Sequence, residues 1–375
     1  MHKSLLVTLD FPPRLGGVAA YYNNICANLP SSDIMVLVPK KPNASNFDSN
    51  QPYKILRLDL ISKNFFVWPR WWPAINKIKK IVAEESIKNL LVGQILPLGT
   101  VALYLKQFHK IPYCVFCHGL DINQLSGHKK ILAKKILVNA DKIIVNSKFT
   151  KIKVLQYGVL NQNIVVAYPC PNPLPSVNEK QLSIIQYEYD LFEKKILLTV
   201  GRLVKRKNHQ KIIESLPEIL KQFPNLVYII AGDGPEKNNL ISAVKKLNLQ
   251  SNVVFAGEVS DLKLSGLFQL CDVFIMPSKE LQNGDVEGFG IVYLEANLAG
   301  KPVIGGKSGG VPEAVADGYS GLLVNPENTA EITNAILKLL SDESLAQRLG
   351  LQGQHRALEE FSWEKETEKI KELLN

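Results

Sequence analysis

Short, mostly apolar runs alternate with longer stretches in which apolar residues recur every three or four positions, and the alternation continues along nearly the whole chain. Brief apolar runs closed by turn formers predict strands buried on both faces, and the amphipathic stretches predict the helices that cover them. In the first half, strands are expected at Ser4–Leu9, Ile34–Val38, Ile55–Leu60, Asn89–Val92, Tyr113–Cys117, Lys142–Asn146 and Ile164–Ala167. Helices are expected between them at Val18–Leu29, Trp72–Glu85, Thr100–Phe108, His128–Asn139 and Lys148–Tyr157.

Pro169-Cys-Pro-Asn-Pro-Leu-Pro175 interrupts this rhythm. So many prolines suit neither a helix interior nor a central strand, and the stretch reads as a connection between domains. After a polar helical segment, a second series follows: strands at Lys195–Val200, Val227–Ala231, Val253–Ala256, Val273–Met276, Pro302–Gly305 and Gly321–Val324. Its helices are expected at Asn208–Phe223, Glu236–Leu247, Asp261–Leu270, Gly290–Ala299 and Thr329–Ser341. Strand–helix alternation of this kind gives a mostly parallel sheet with helices on both faces. The expected fold is therefore α/β, with two doubly wound domains in tandem, 1–175 and 176–375, and a terminal helix near 363–374 that has no following strand.

A chain of 375 residues is long for one core and comfortable for two. No apolar run reaches the length needed to cross a bilayer, and the first strand meets Asp10 and Pro12-Pro13 too soon to be a secretion signal, so a cytoplasmic location is expected. The five cysteines are scattered and odd in number, which argues against a disulfide framework. Cys114 and Cys117 form a C-x-x-C, but within a strand residues three apart face opposite ways, and no second cysteine pair completes a metal site. No metal is expected. The formal charge of +9 fits anionic ligands or an anionic surface. Nucleic acid is not expected, since no basic patch is interleaved with base-stacking aromatics.

Ligands of doubly wound sheets bind beyond the carboxyl ends of the strands, so the loops there carry the chemistry. The first strand leads into Gly16-Gly17 and a helix start, where bare backbone and open amides suit an anionic group; a tight strand–helix turn explains the pair equally well. His118-Gly119 ends another strand, at the position of a catalytic group or of a structural histidine. Arg202 and Lys207 share one short loop before a helix and match a diphosphate, while Lys205 and Arg206 read as solvated neighbours. Gly232-Asp-Gly234 is a permissive turn compatible with a nucleotide site. In Glu287-Gly-Phe-Gly-Ile-Val-Tyr-Leu-Glu295, Phe289, Gly290 and Ile291 open a helix whose free amides suit phosphate or sugar oxygens, and Glu295 lies far enough along to grip vicinal hydroxyls.

These motifs, in this order, resemble the retaining glycosyltransferases of family four, which have the GT-B fold of two Rossmann-like domains facing each other across a cleft. The likeness covers nearly the whole chain: an E-x7-E pattern from Glu287 to Glu295, then "GKPVI" and "SGGVPEAV", with Gly201-Arg-Leu and Lys207, Gly16-Gly17 and His118-Gly119 before it. The resemblance implies a metal-independent hexosyltransferase that needs a nucleotide-sugar donor and no other cofactor. It implies that Arg202 and Lys207 bind the donor diphosphate, that Glu295 holds the ribose and that Glu287 faces the transferred sugar. It further implies backbone contacts from Phe289, Gly290 and Ile291, closure of Gly16-Gly17 over the diphosphate, His118 beside the sugar, and return of the last helix to the first domain. Pro169-Cys-Pro-Asn-Pro173 departs from the Asn-Gly-Val-Asp-like turn of many relatives.

The run "NGDVEGFGIVYLEA" looks most like mannosyltransferases that use GDP-mannose, with a UDP-hexose such as UDP-glucose as the competing donor. Phe65-Phe-Val-Trp-Pro-Arg-Trp-Trp72, followed by Lys77, Lys79 and Lys80, and a helix with Lys129, Lys130, Lys134 and Lys135, suit attachment to an anionic membrane and a lipid-linked or glycan acceptor. Core aromatics beside a solvated basic helix face are the plainer reading. A sugar-binding module without catalysis has no need of a diphosphate clamp, while a non-catalytic nucleotide-sugar-binding protein stays as an alternative. A dinucleotide-dependent oxidoreductase requires G-x-G-x-x-G after the first strand, which Leu15-Gly-Gly-Val does not supply.

Overall fold

The computed structural model describes residues 2–14, 16–64 and 66–374. Leu15, in the first glycine loop, and Phe65, at the head of the aromatic run, lie outside the described residues. The chain divides into two compact units, 1–169 with 363–375, and 170–362.

In the first unit the elements run β1 (Ser4–Val7), α1 (Gly17–Asn28), β2 (Ile34–Val38), α2 (Ser45–Ser49), β3 (Lys54–Arg57), α3 (Trp72–Glu84), β4 (Asn89–Val92) and α4 (Leu98–His109). They continue with β5 (Tyr113–Cys117), α5 (Leu120–Asn123), α6 (Gly127–Asn139), β6 (Lys142–Val145), α7 (Lys148–Leu155) and β7 (Ile164–Val166). The second unit comprises α8 (Glu179–Glu188), β8 (Lys195–Val200), α9 (His209–Leu220), β9 (Leu226–Ala231), α10 (Lys237–Lys246), β10 (Val253–Gly257), α11 (Asp261–Leu270) and β11 (Val273–Met276). It ends with α12 (Ile291–Leu298), β12 (Val303–Gly306), α13 (Val311–Ala314), β13 (Gly321–Val324), α14 (Thr329–Ser341) and α15 (Glu343–Glu360), before α16 (Trp363–Leu373).

The first sheet has the order β3-β2-β1-β4-β5-β6-β7 and the second β10-β9-β8-β11-β12-β13. Neighbouring strands run parallel, β1 with β2 and β4, and β8 with β9 and β11. The order reverses between β1 and β4 in one sheet and between β8 and β11 in the other. At such a reversal the connecting helices go to opposite faces, and the loops part to leave a crevice. The loops that follow β1, β4, β8 and β11 are therefore where this topology makes room for a ligand.

Burial explains the apolar runs. Leu5, Val7, Leu90, Val92 and Val115 form one side of the first sheet and pack under Ile75, Ile78, Val101, Leu105 and Ile136. In the second unit, Leu197, Tyr228, Ile230, Val273 and Ile275 pack under Ile212, Leu216, Ile332 and Ile336. The buried residues of α9, Ile212, Ile213, Leu216 and Ile219, recur at the helical period, so one stripe meets the sheet. α8 begins with a reciprocal capping box between Asn178 and Gln181. All five cysteines are buried.

Two departures from the sequence reading shape the second unit. The units part at 169/170, at the start of the proline-rich stretch, and its far end is tied to the second unit by Ser265 Oγ, which donates to the Pro175 carbonyl at 2.7 Å. α15 is an 18-residue helix that the apolar pattern does not announce. Its buried face is made of Leu349, Gly350, Gly353 and Ala357, because its backbone lies directly on α12. A Cβ at Gly350 would sit 2.0 Å from the Gly300 carbonyl oxygen, and one at Gly353 would sit 2.4 Å from Asn297 Nδ2. α16 then packs on α1 of the first unit. There the buried Glu366 accepts from the Tyr168 amide at 3.0 Å, and Trp363 meets Tyr21 edge to face.

Candidate functional site

β8 ends at Val200, and the loop beyond it is shaped by close backbone approach. A Cβ at Gly232 would lie 2.1 Å from the Gly201 carbonyl, and one at Gly234 would lie 2.5 Å from that of Leu203. The Gly232-Asp-Gly234 turn thus clamps the ends of β9 and β8 together, which accounts for both of its glycines. Arg202 projects as an exposed side chain with no ion pair among the described residues. The chain then makes a 3-10 turn over Lys205–Lys207 and reaches Asn208 in the left-handed conformation, φ 63°. Asn208 Nδ2 donates to the carbonyls of Pro277, at 3.1 Å, and Pro326, at 2.7 Å, joining this turn to the loops after β11 and β13.

Lys207 is buried, 8% exposed, and donates to Glu287 Oε2 at 2.5 Å. Arg206 Nη1 donates to the same oxygen at 2.6 Å, and its Nε pairs with Asp285 at 3.1 Å. Arg206 is therefore no solvated neighbour: it spans two carboxylates of the loop after β11. That role is invisible in sequence because its partner lies 81 residues on. Oε1 of Glu287 has no hydrogen bond to a described residue. Burial pushes the Glu287 carboxyl up, but Lys207 and then Arg206 outweigh it and hold the carboxyl down at about 2. Burial lowers Lys207, against the pull of Glu287. The two form a hydrogen-bonded pair with Arg206 as a third member.

Glu287 is the gate to Gly288-Phe289-Gly290 and α12. Gly290 sits at φ 97°, and a Cβ there would meet the Tyr293 ring at 2.5 Å, so glycine is required twice over. No side chain caps α12; the Tyr293 N–H is taken by the Gly290 carbonyl at 3.1 Å, and those of Ile291 and Val292 have no hydrogen-bond partner among the described residues. The loop after β12 holds this turn from behind: Gly310 N donates to the Glu287 carbonyl at 2.9 Å, and a Cβ at Gly310 would sit 2.0 Å from that of Gly288. Phe289 is buried against Phe361, ring centroids 5.7 Å apart.

Glu295 lies on α12 at the fifth helical position, partly buried, its carboxyl without a hydrogen-bond partner among the described residues. Burial and then Asp261 raise its carboxyl from the usual 4.5 to about 7, although the Lys207 charge pulls the other way. Because the folded protein holds this proton above the pH at which the unfolded chain releases it, the associated stability is full below about 4.5 and is lost as pH rises through 7. Glu295→Gln, neutral throughout, should melt together with the wild type at pH 4.5 and above it at pH 8. Equal offsets at the two pH values, read by calorimetry, would show that the carboxyl is not held neutral by its surroundings.

In the first unit, β1 leads to Gly16, φ 148°, and to Gly17 at the start of α1. A Cβ at either position would meet nothing within 4 Å, so the fold itself gives no steric reason for glycine at 17. α1 also lacks a side-chain cap. His118, at the end of β5, is held by its backbone: its amide donates to Asp121 Oδ1 at 3.0 Å, and its carbonyl accepts from Asn146 Nδ2 at 3.3 Å. Its ring stands edge to face against Tyr21 and Tyr22, both 5.3 Å between centroids, and Nε2 is 2.6 Å from Tyr22 Oη. Burial lowers His118 to about 4, so the imidazole is neutral. Tyr22, like Arg206 and Asn208, escaped the sequence reading; nothing local distinguishes it from any buried aromatic on a helix.

Thus Arg202, Lys207, Glu287, Phe289, Gly290, Ile291 and Glu295 gather at the β8/β11 reversal, and Gly16, Gly17 and His118 at the β1/β4 reversal. Among the described residues, no group of three or more His, Cys, Asp or Glu is placed to hold a metal. Two doubly wound units, each with its chemistry at the switch of strand order, define a glycosyltransferase of the GT-B class. A family model described as Glycosyltransferase Family 4 matches residues 15–173, and one described as Glycosyl transferases group 1 matches residues 189–356. The chain is 28% identical to a GDP-mannose-dependent alpha-(1-6)-phosphatidylinositol monomannoside mannosyltransferase of Mycolicibacterium smegmatis, over 99% of this chain and 98% of that protein. It is also 28% identical to a GDP-mannose-dependent monoacylated alpha-(1-6)-phosphatidylinositol monomannoside mannosyltransferase of Corynebacterium glutamicum, over 99% and 97%. Among solved structures, HepE of Anabaena in complex with UDP superposes with a TM-score of 0.84 at 20% identity, over 99% of each chain. The chain belongs to the family four glycosyltransferases.

Proposed function

We propose that this glycosyltransferase moves a hexose with retention of anomeric configuration, from a nucleotide diphosphate donor to a lipid-linked or glycan acceptor, and that the donor is GDP-mannose. The observation that carries this reading is the arrangement around Glu287. One carboxylate oxygen is neutralised by Lys207 and Arg206, while the other remains available to a sugar hydroxyl beside the open amides of α12. When the bond from the anomeric carbon to the diphosphate breaks, negative charge grows on the leaving oxygen. Arg202 and Lys207, with the start of α12, stabilise that charge. Glu295, lying beside Lys207's field, accepts from the ribose hydroxyls; Phe289, Gly290 and Ile291 offer backbone to sugar and phosphate; Gly16 and Gly17 do so from the first unit. No metal is needed in this scheme, because the side-chain cations take that part.

Mannose is preferred on the full-length similarity to GDP-mannose-dependent enzymes. A UDP-hexose donor is the second reading, favoured by the likeness to HepE, which has been solved with UDP-glucose. Thermal shift against GDP, UDP, GDP-mannose and UDP-glucose, followed by a transfer assay with the stabilising sugar, tests both readings. A ligand that binds only the folded chain raises the midpoint by mass action. A shift with UDP compounds alone overturns the mannose assignment, and no shift with any of them favours a protein without catalysis.

A lipid-linked acceptor accords with the face built from α3, α4 and α6, which pack side by side. Phe66 is 92% exposed, Trp68 85% and Phe108 66%, and Trp72 and Tyr104 continue the aromatic patch at 5.7 Å. Lys79, Lys80, Lys129, Lys130, Lys134 and Lys135 are exposed around it. Among the described residues, no helix is long and apolar enough to cross a membrane, so the contact we propose is peripheral. Phe66→Ser with Trp68→Ser should weaken binding to vesicles of phosphatidylcholine and phosphatidylglycerol at least tenfold. Wild-type protein that fails to float with these vesicles at low salt removes the membrane contact.

A further inference from the structure

Tyr22 is fully buried on α1, with its ring between Tyr21, Phe116 and His118. Its hydroxyl meets two groups, the Gly93 carbonyl and His118 Nε2. A phenol has one hydrogen to donate, and a carbonyl oxygen has none. The proton of Tyr22 therefore goes to Gly93, and the phenolic oxygen must accept from Nε2–H of the imidazole. The reverse arrangement sets two lone pairs against each other inside the core. This fixes the neutral imidazole as its Nε2–H tautomer, and Nδ1 carries the lone pair.

The supports of this arrangement are backbone groups at strand ends. Gly93 directly follows β4, and its amide donates to the Val7 carbonyl at 2.9 Å. A Cβ there would come within 3.1 Å of Tyr22 Cζ and 2.5 Å of Thr8 Oγ1, so a bare backbone is required for the phenol to reach the carbonyl. The His118 backbone is anchored to Asp121 and Asn146. His118 Nδ1 has no hydrogen bond to a described residue. Both β4 and β5 end here, beside the reversal in strand order.

We infer that Tyr22 is a positioning residue for glycosyl transfer: it holds His118 as the Nε2–H tautomer, so that Nδ1 is presented as a hydrogen-bond acceptor to a hydroxyl of the transferred sugar. The inference rests on the glycosyl-transfer reading for its ligand, whereas the tautomer stands on the geometry of this unit alone. A fixed acceptor discriminates by chemistry. It rewards a hydroxyl, which can donate, and leaves a buried lone pair unmet by a deoxy position. Without the phenol, the imidazole samples both tautomers, and the Nδ1–H form offers a donor in place of the acceptor, so the sugar hydroxyl can no longer donate to it.

The test uses Tyr22→Phe, which keeps the ring and removes one oxygen. In protein labelled with 15N-histidine and free of donor, the His118 nitrogens should show one tautomer in the wild type, protonated at Nε2, and a mixture in Tyr22→Phe. Transfer from GDP-mannose, or from UDP-glucose if that is the active donor, should fall about tenfold in kcat/KM, the worth of one oriented hydrogen bond. Because Tyr22 acts through His118, the double variant Tyr22→Phe/His118→Asn should be no slower than His118→Asn alone. A tautomer unchanged in Tyr22→Phe, or losses that multiply in the double variant, overturns the inference. Wild-type protein inactive on both donors removes the transfer reading, and the donor-free spectra still decide for or against control of the tautomer by Tyr22.

Discussion

Arg202→Ala should leave the melting temperature unchanged and lower the rate of glycosyl transfer about a hundredfold. The two halves of this expectation come from one observation. Arg202 is exposed and has no ion pair among the described residues, so the folded state loses nothing when it is removed. The other guanidinium and the buried lysine of this loop are already matched, Arg206 with Asp285 and Glu287, and Lys207 with Glu287, while Lys205 is exposed like Arg202. Arg202 is the guanidinium still able to make a two-pronged contact with a diphosphate as its charge increases in the transition state. Single-turnover rates with saturating donor, alongside calorimetry, read both effects. A rate within threefold of wild type would remove Arg202 from the diphosphate.

Lys207→Met and Glu287→Gln should both unfold the second unit more easily, each by about 3 kcal/mol, and both should nearly abolish transfer. These side chains are 10% and 14% exposed; Glu287→Gln strips Lys207 of its carboxylate, and Lys207→Met leaves the buried Glu287 carboxylate to Arg206 alone. The pH dependence follows the same pair. The folded Glu287 carboxyl lies near 2 against an ordinary 4.5, so its stabilisation is present above about 4.5 and is lost as pH falls from there towards 2. The wild type should therefore lose stability steeply over that window, and Glu287→Gln should not. Parallel pH profiles for the two proteins, measured by urea unfolding, would show that the pair contributes little to the fold. The contrast with Arg202 separates a cation that serves only the ligand from one that also serves the fold.

The sheets and their order along the chain were legible in sequence, because a parallel strand covered on both faces must be apolar throughout; β2, β4, β5, β8, β11 and β13 occupy the expected residues. Glycine-rich motifs at strand ends also identified where the second unit concentrates its charge. α15 was not legible, because a helix lying backbone to backbone on α12 buries glycine and alanine, which carry no hydrophobic period.

By itself, then, the sequence determined what depends on neighbours within a few residues: strand and helix periods, the glycine turns at 16–17 and 288–290, and the charged residue types at the strand ends. Tertiary structure alone decided which charges meet. Arg206 and Lys207 converge on one oxygen of a residue some eighty positions away, and Tyr22 reaches His118 across 96. Such pairings arise where the order of strands reverses, and that order is set by how whole sheets assemble. Hydrogen-bond direction, tautomer and charge state are properties of these meetings, so they exist only once the chain has folded.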